Sequence, residues 1–239
     1  MPEVHLCGWH FSPRVLRDLV KHPISPADLT GMGLFKKMGK LAGGVDGDLM
    51  ANGLLGRGVV ASFQLTGTAV TVGVEEHRVC ELTLQVFLDG REPYVAQVRQ
   101  RIPEYLIGQL GQGGAAVAVR VSPTDPSQVA VDLGTAPPVV TLARPADGGS
   151  ERILQSGTPA EAIITQTAPM GVRNWEGHDV HLLTLTVMAP NQDPYQVQVG
   201  NPVPPSALPV LFPGSKVPVK VAPGEPNSVA VDWRAAAAV

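Results

Sequence analysis

Residues 77–98 read HRVCELTLQVFLDGREPYVAQV, and residues 178–199 read HDVHLLTLTVMAPNQDPYQVQV. The second stretch follows the first by 101 positions. His77, Leu82, Thr83, Leu84, Pro93, Tyr94 and Val98 fall on His178, Leu183, Thr184, Leu185, Pro194, Tyr195 and Val199. In each stretch apolar and polar residues alternate. Leu82, Leu84, Val86 and Leu88 oppose Thr83 and Gln85, while Leu183, Leu185 and Val187 oppose Thr184 and Thr186. A period of two belongs to a β-strand with one buried face. Asp89-Gly90 turns the first chain back, and Asn191-Gln192-Asp193 turns the second. Tyr94, Ala96 and Val98, like Tyr195, Val197 and Val199, then open a further strand.

Working outward, the same shift places Gly56 and Ala61 on Gly157 and Ala162, and Pro103 and Leu110 on Pro204 and Leu211. A shift of 100 joins Val117, Val119 and Val121 to Val217, Val219 and Val221. An internal duplication is expected. Upstream of each hairpin lies a first strand. Val59–Thr71 is β-rich, with a bend or bulge expected at Gly67. Its counterpart Ala160–Thr167 is expected to stop before Pro169-Met170-Gly171. Pro103–Leu110 reads as a brief helix opened by proline, and Pro204–Leu211, with Pro205 and Pro209, as little more than a turn. The valine runs are fourth strands, and Val129–Leu133 and Val229–Trp233 close each copy. Pro218 predicts a sheet edge for the second copy's fourth strand.

Three strands, a short helix and two strands make the OB-fold order. The expectation is an all-β protein of two tandem duplicated five-stranded β-barrels, OB-fold-like with an SH3-like barrel as the alternative, behind a short helical N-terminal segment. The expected bounds are 1–53 for that segment, 54–133 for the first barrel, 134–152 for a Pro/Gly-rich linker, 153–234 for the second barrel and 235–239 for a tail. Residues 43–53 read as a hinge, and Val139–Leu142 as one short strand in the linker.

The run Gly-x-x-Val-x-Val-x-Val-x-Pro-x-x-Pro-x-x-Val-Ala-Val-Asp occurs at 114–132 and again at 214–232. It resembles a small all-β domain of uncharacterised bacterial proteins frequent in actinobacterial genomes. Its residues are core valines and turn prolines, so the resemblance implies a fold and carries no catalytic residue.

The chain has 239 residues and a net charge of −3, without the cationic excess of a nucleic-acid binder. Its two cysteines, Cys7 and Cys80, lie in different segments, which speaks for a reducing cytoplasm rather than a disulfide framework. Cys7 and His10 have the spacing of half a zinc site and lack a second pair. His77 with Cys80, and His178 with His181, resemble metal pairs, but residues three apart on a regular strand face opposite sides. No nucleophile elbow, phosphate loop or dinucleotide fingerprint is present, so neither an enzyme nor a cofactor is expected.

Two segments are candidates for contact. Leu34, Phe35, Met38 and Leu41 recur at helical spacing with Lys36, Lys37 and Lys40 on the other side. An amphipathic helix near 33–42 is expected, docking on the first barrel or lying at the inner face of the membrane as a peripheral contact. On the first barrel's outer sheet, Phe87, Arg99 and Arg101 form the expected binding face, with Thr83, Gln85 and Gln97 beside them. Single-stranded nucleic acid is the alternative ligand there, but the second copy offers only Thr184, Thr186, Gln196 and Gln198. The expectation is therefore a non-enzymatic interaction scaffold whose partner is another protein or a second copy of the chain.

Overall fold

The computed structural model describes residues 4–6, 43–146, 148–190 and 192–236. The protein is all-β and consists of two small barrels in tandem. The chain divides into one compact unit of residues 23–140 and another of residues 1–22 and 141–239.

Among the described residues the first unit contains helix α1 (Gly47–Asn52), β2 (Leu54–Val72), β3 (Glu75–Phe87), β4 (Tyr94–Pro103), α2 (Glu104–Leu110), β5 (Ala116–Val121) and β6 (Val129–Asp132). The sheet order is β4-β3-β2-β5-β6. It curls because β2 is shared: β5 pairs along residues 54–59, while β3 pairs with β2 over nearly its whole length. The strands' inward residues, among them Val60, Leu84, Val98, Val119 and Val131, form one core, which α2 caps with Leu110. Burial of this contiguous apolar face is the main stabilising term.

The second unit contains β7 (Val140–Thr141, at the division between the units), α3 (Gly149–Ser156), β8 (Thr158–Arg173), β9 (Asp179–Met188) and β10 (Tyr195–Val203). After these come a 3-10 turn (Pro205–Val210), β11 (Lys216–Ala222), β12 (Glu225–Val231) and α4 (Trp233–Ala236). Its strand order, β10-β9-β8-β11-β12, matches the first unit position for position. Ile164, Leu185, Val199, Val219 and Val231 form the corresponding core. The 3-10 turn replaces the helix because Pro209 interrupts it. A short N-terminal strand, β1 (Val4–Leu6), lies parallel to β10 at Gln198–Gly200.

Register corrects several expectations. Leu84 pairs with Val60 and Ala96, and Leu185 with Ile164 and Val197. The shift is thus 101 in the second and third strands but 104 in the first. Gly56 and Ala61 therefore do not correspond to Gly157 and Ala162. Instead Gly53 matches Gly157, each capping the helix before the first strand through a bond to Leu49 or Ile153. The residues expected as hinge and linker thus form a helix in each unit. The β8 strand does not stop at Thr167 but runs to Arg173. Both first strands bulge after Val60 or Ile164 and again around Gly67 or Gly171, glycines with φ of 80° and 68°. That backbone is accessible to glycine without the Cβ penalty, so the second bulge of each strand is written into the sequence.

Pro218 does not mark an edge: β11 lies between β8 and β12. The proline is tolerated because the β12 ladder ends at the Val219–Val231 pair. At Pro218 only a carbonyl is used, accepting from the Asp232 N–H at 2.9 Å.

Candidate functional site

Three surfaces of the barrels bear on function: the seam that closes each barrel, the outer sheet, and the outer edges of the strands. The seam brings the third strand beside the fifth. In the first unit it is closed by a side chain rather than a backbone ladder. Gln100 is 5% exposed. Its Nε2 donates to the Val131 carbonyl at 2.7 Å, and its Oε1 accepts from the Val131 N–H at 2.8 Å. One side-chain amide thus satisfies both backbone groups of a buried residue. Asn201 holds the matching position and is 1% exposed. It is one methylene shorter and only accepts, from Val231 N–H at 3.2 Å, so its Nδ2 has no partner among the described residues.

On the outer sheet of the second barrel, an open groove of about 500 Å³ is lined by Thr165, Gln166, Thr167, Thr184, Gln198 and Pro213, among others. The bulge builds it. Thr165, the extra residue of β8, donates its hydroxyl to the Thr184 carbonyl at 3.0 Å, and Gln198 Nε2 donates to Thr184 Oγ1 at 3.3 Å. The lining carries no charge and no aromatic ring. Beside the apolar Ala168, Leu182 and Pro213 it offers amides and hydroxyls, groups that can bond a peptide backbone but supply neither a nucleophile–base pair nor a stacking platform. Val4 pairs with Gln198 at the rim, so an extended segment already lies along this side of the barrel.

The first barrel's expected face is only partly assembled. Arg99 is exposed and pairs with Glu81 at 2.6 Å. Arg101 is half-buried, and its backbone N–H donates to the Gly43 carbonyl at 2.9 Å. Phe87 does not join them: it is 0% exposed. The expectation that strand alternation turns Phe87 to solvent fails because the outward face of β3 is itself covered at this end, where Gln85 is buried too. The candidates Leu34, Phe35, Lys36, Lys37, Met38, Lys40 and Leu41 lie outside the described residues, as do Cys7 and His10.

The histidine pairs do not converge. His77 lies 3.4 Å from the Glu75 carbonyl through Nδ1, while Cys80 is buried and bonds to the Arg78 carbonyl. Burial raises the Cys80 thiol to about 11, which leaves it protonated and a poor ligand. His178 faces Glu176 at 3.6 Å, whereas His181 meets Thr167 at 3.4 Å. Burial lowers the His181 pKa, partly opposed by Asp179. No group of three metal-binding side chains occurs among the described residues. Among them, too, no helix is long and apolar enough to cross a membrane.

The Gln100 seam and the bulge groove were not anticipated from sequence. Gln100 stands at the expected 101-residue shift from Asn201, but the two are not identical and so carried no signal in a comparison built on identities. No protein-family model matches the chain, and comparison with curated proteins and with solved structures yields no match.

Proposed function

We propose that the protein is a non-enzymatic interaction scaffold whose barrels bind extended protein segments along their strand edges and outer faces. The observation that carries this reading is β1: Val4–Leu6 is laid in parallel on the edge of β10, beside the uncharged groove. An edge strand offers unpaired N–H and C=O groups, so a peptide of many sequences can add to it, with side-chain pockets supplying selectivity. Cys80, a free buried thiol, supports a reducing cytoplasmic setting.

A photo-crosslinking side chain placed at exposed Gln196 on β10, in the native cell, tests the proposal. The expected product is a discrete protein adduct, absent when the same side chain replaces Gly90 in the turn after β3. Recovery of nucleic acid instead, released by salt, would overturn the reading.

A further inference from the structure

The β2–β3 hairpin extends past β5 as an arm. It is backed by β4 on the β3 side as far as the His77–Pro103 pair and is two-stranded only at its tip, where Thr71 and Val72 pair with Glu76 and Glu75. From Ser62 to Val72 no described strand lies on the outer edge of β2. Its β2 strand and turn are exposed, with Leu65 56%, Val72 47% and Val74 100% exposed, whereas Val79 and Cys80 on the β3 side are buried. A two-stranded tip is marginal in water, and long uncharged edges are where chains pair. Here Gly58–Val74 contains neither a charged residue nor a proline.

The second barrel answers the same geometry differently. Its first strand carries Pro169 and Arg173 where the first barrel has Leu65 and Ala69. Its edge is occupied: β7 pairs with β8, and the Leu142 N–H donates to the Arg173 carbonyl at 2.8 Å. Met170 and Val172, on that strand, are buried. The occupying segment reads Val140-Thr141-Leu142. The arm, whose β2 edge carries no strand among the described residues, itself reads Val70-Thr71-Val72, nearly the same tripeptide.

We propose that the protein self-associates through this arm, with Ala69–Val72 of one copy pairing antiparallel, about a twofold axis, with Ala69–Val72 of a second copy. The segment matches the strand that fills the equivalent edge in the second barrel, and antiparallel self-pairing of an uncharged stretch sets no like charges opposite one another. Glu75 and Glu76 disfavour the alternative in which β3 supplies the edge, because two copies would then face each other with acidic residues. The interface is short, so the dimer is weak and concentration-dependent. This inference rests on the scaffold reading above and names a second copy as one of its partners.

Sedimentation equilibrium of the full chain over a concentration series tests it, with Thr71→Lys/Val72→Lys as the variant. Both positions are exposed, so the barrel keeps its fold, which an unchanged circular dichroism spectrum and melting midpoint confirm. The wild-type mass should rise towards twice that of the chain, and the variant should stay at the monomer mass. In a Cys7→Ser background, single cysteines at Ala69, Val70, Thr71 and Val72 should give oxidised dimer with one maximum, at the residue nearest the axis. A wild type that is monomeric throughout overturns the proposal, as does a variant that dimerises like wild type or cross-linking without a maximum. Adduct formation at Gln196 persisting in a monomeric wild type would leave the scaffold reading standing while self-pairing fails. A lysine-sensitive dimer with no adduct would do the reverse.

Discussion

Gln100 illustrates how one side chain can substitute for a missing ladder. Its amide meets both polar groups of Val131 at the seam, so Gln100→Ala leaves a buried N–H and a buried carbonyl without partners. The expected loss is about 2–4 kcal/mol. Asn201→Ala removes a single, longer bond and should cost about 1–2 kcal/mol. Urea unfolding of the two variants checks the order, and equal losses would show that the seam does not depend on the second bond. Asp132 supplies a pH-dependent contact nearby. Burial works to raise its pKa, but hydrogen bonds from Thr135, from Arg120 at 3.0 Å and from the Gly134 N–H outweigh it and hold the carboxyl below its ordinary 3.8. The unfolded chain therefore takes up this proton first as the pH falls. The contribution is complete above the ordinary value and disappears as the pH drops through the lower folded one. Asp132→Asn should melt below wild type at neutral pH, and the gap should close under acid. A gap independent of pH would mean that the charge is immaterial.

At the scale of elements, the two first-strand helices hold what periodicity could not reveal. Ile153 of α3 is buried against Ala222 and Ala230, so Ile153→Ala should cost about 2–3 kcal/mol. Gly157 then lets α3 run straight into β8. A Cβ there would sit 2.5 Å from the Ile153 carbonyl oxygen and 2.9 Å from that of Val221, both backbone atoms. Gly157→Ala should therefore lower the melting midpoint, as should Gly53→Ala, whose Cβ would run into the Leu49 carbonyl oxygen. Gly47→Ala meets nothing within 4 Å and should be neutral or stabilising. A loss at Gly47 as large as at Gly157 would refute the close-approach explanation. Strands two to five were legible because one face of each is continuously buried, and that burial writes alternation into residues such as Leu82–Leu88 and Val117–Val121. The first strand was not. Its matched positions, such as Gly58 with Ala162 and Val60 with Ile164, keep size rather than identity, while chance identities at Gly56 and Ala61 suggested the wrong shift. The arm conceals the difference: Val60 to His77 spans 17 positions, but Ile164 to His178 spans 14. Helices of six and eight residues are too short to show a 3.6-residue period, so α1 and α3 read as glycine-rich connections. Phe87 was misplaced for another reason. Alternation identifies two faces of a strand but does not say whether the second one is covered.

For the whole molecule the decisive quantity is where its charge lies. An OB-like barrel suggests single-stranded nucleic acid, and such binding needs cations along a groove together with rings on which bases stack. The net charge is −3. On the first barrel Arg99 is engaged by Glu81, and Phe87 is buried rather than available for stacking. On the second barrel the groove carries neither a cation nor an aromatic ring. Breaking the Arg99–Glu81 pair to reach a phosphate would expose an acidic group beside the ligand, which offsets part of the attraction. The exposed pair itself adds little to stability, which makes Arg99→Glu with Arg101→Glu a clean probe of binding. Fluorescence anisotropy with a single-stranded oligonucleotide at physiological salt should show no appreciable association for wild type, and therefore no change in the double variant. Submicromolar binding that weakens as salt rises and is abolished by the two substitutions would instead identify the outer sheet of the first barrel as a nucleic-acid surface.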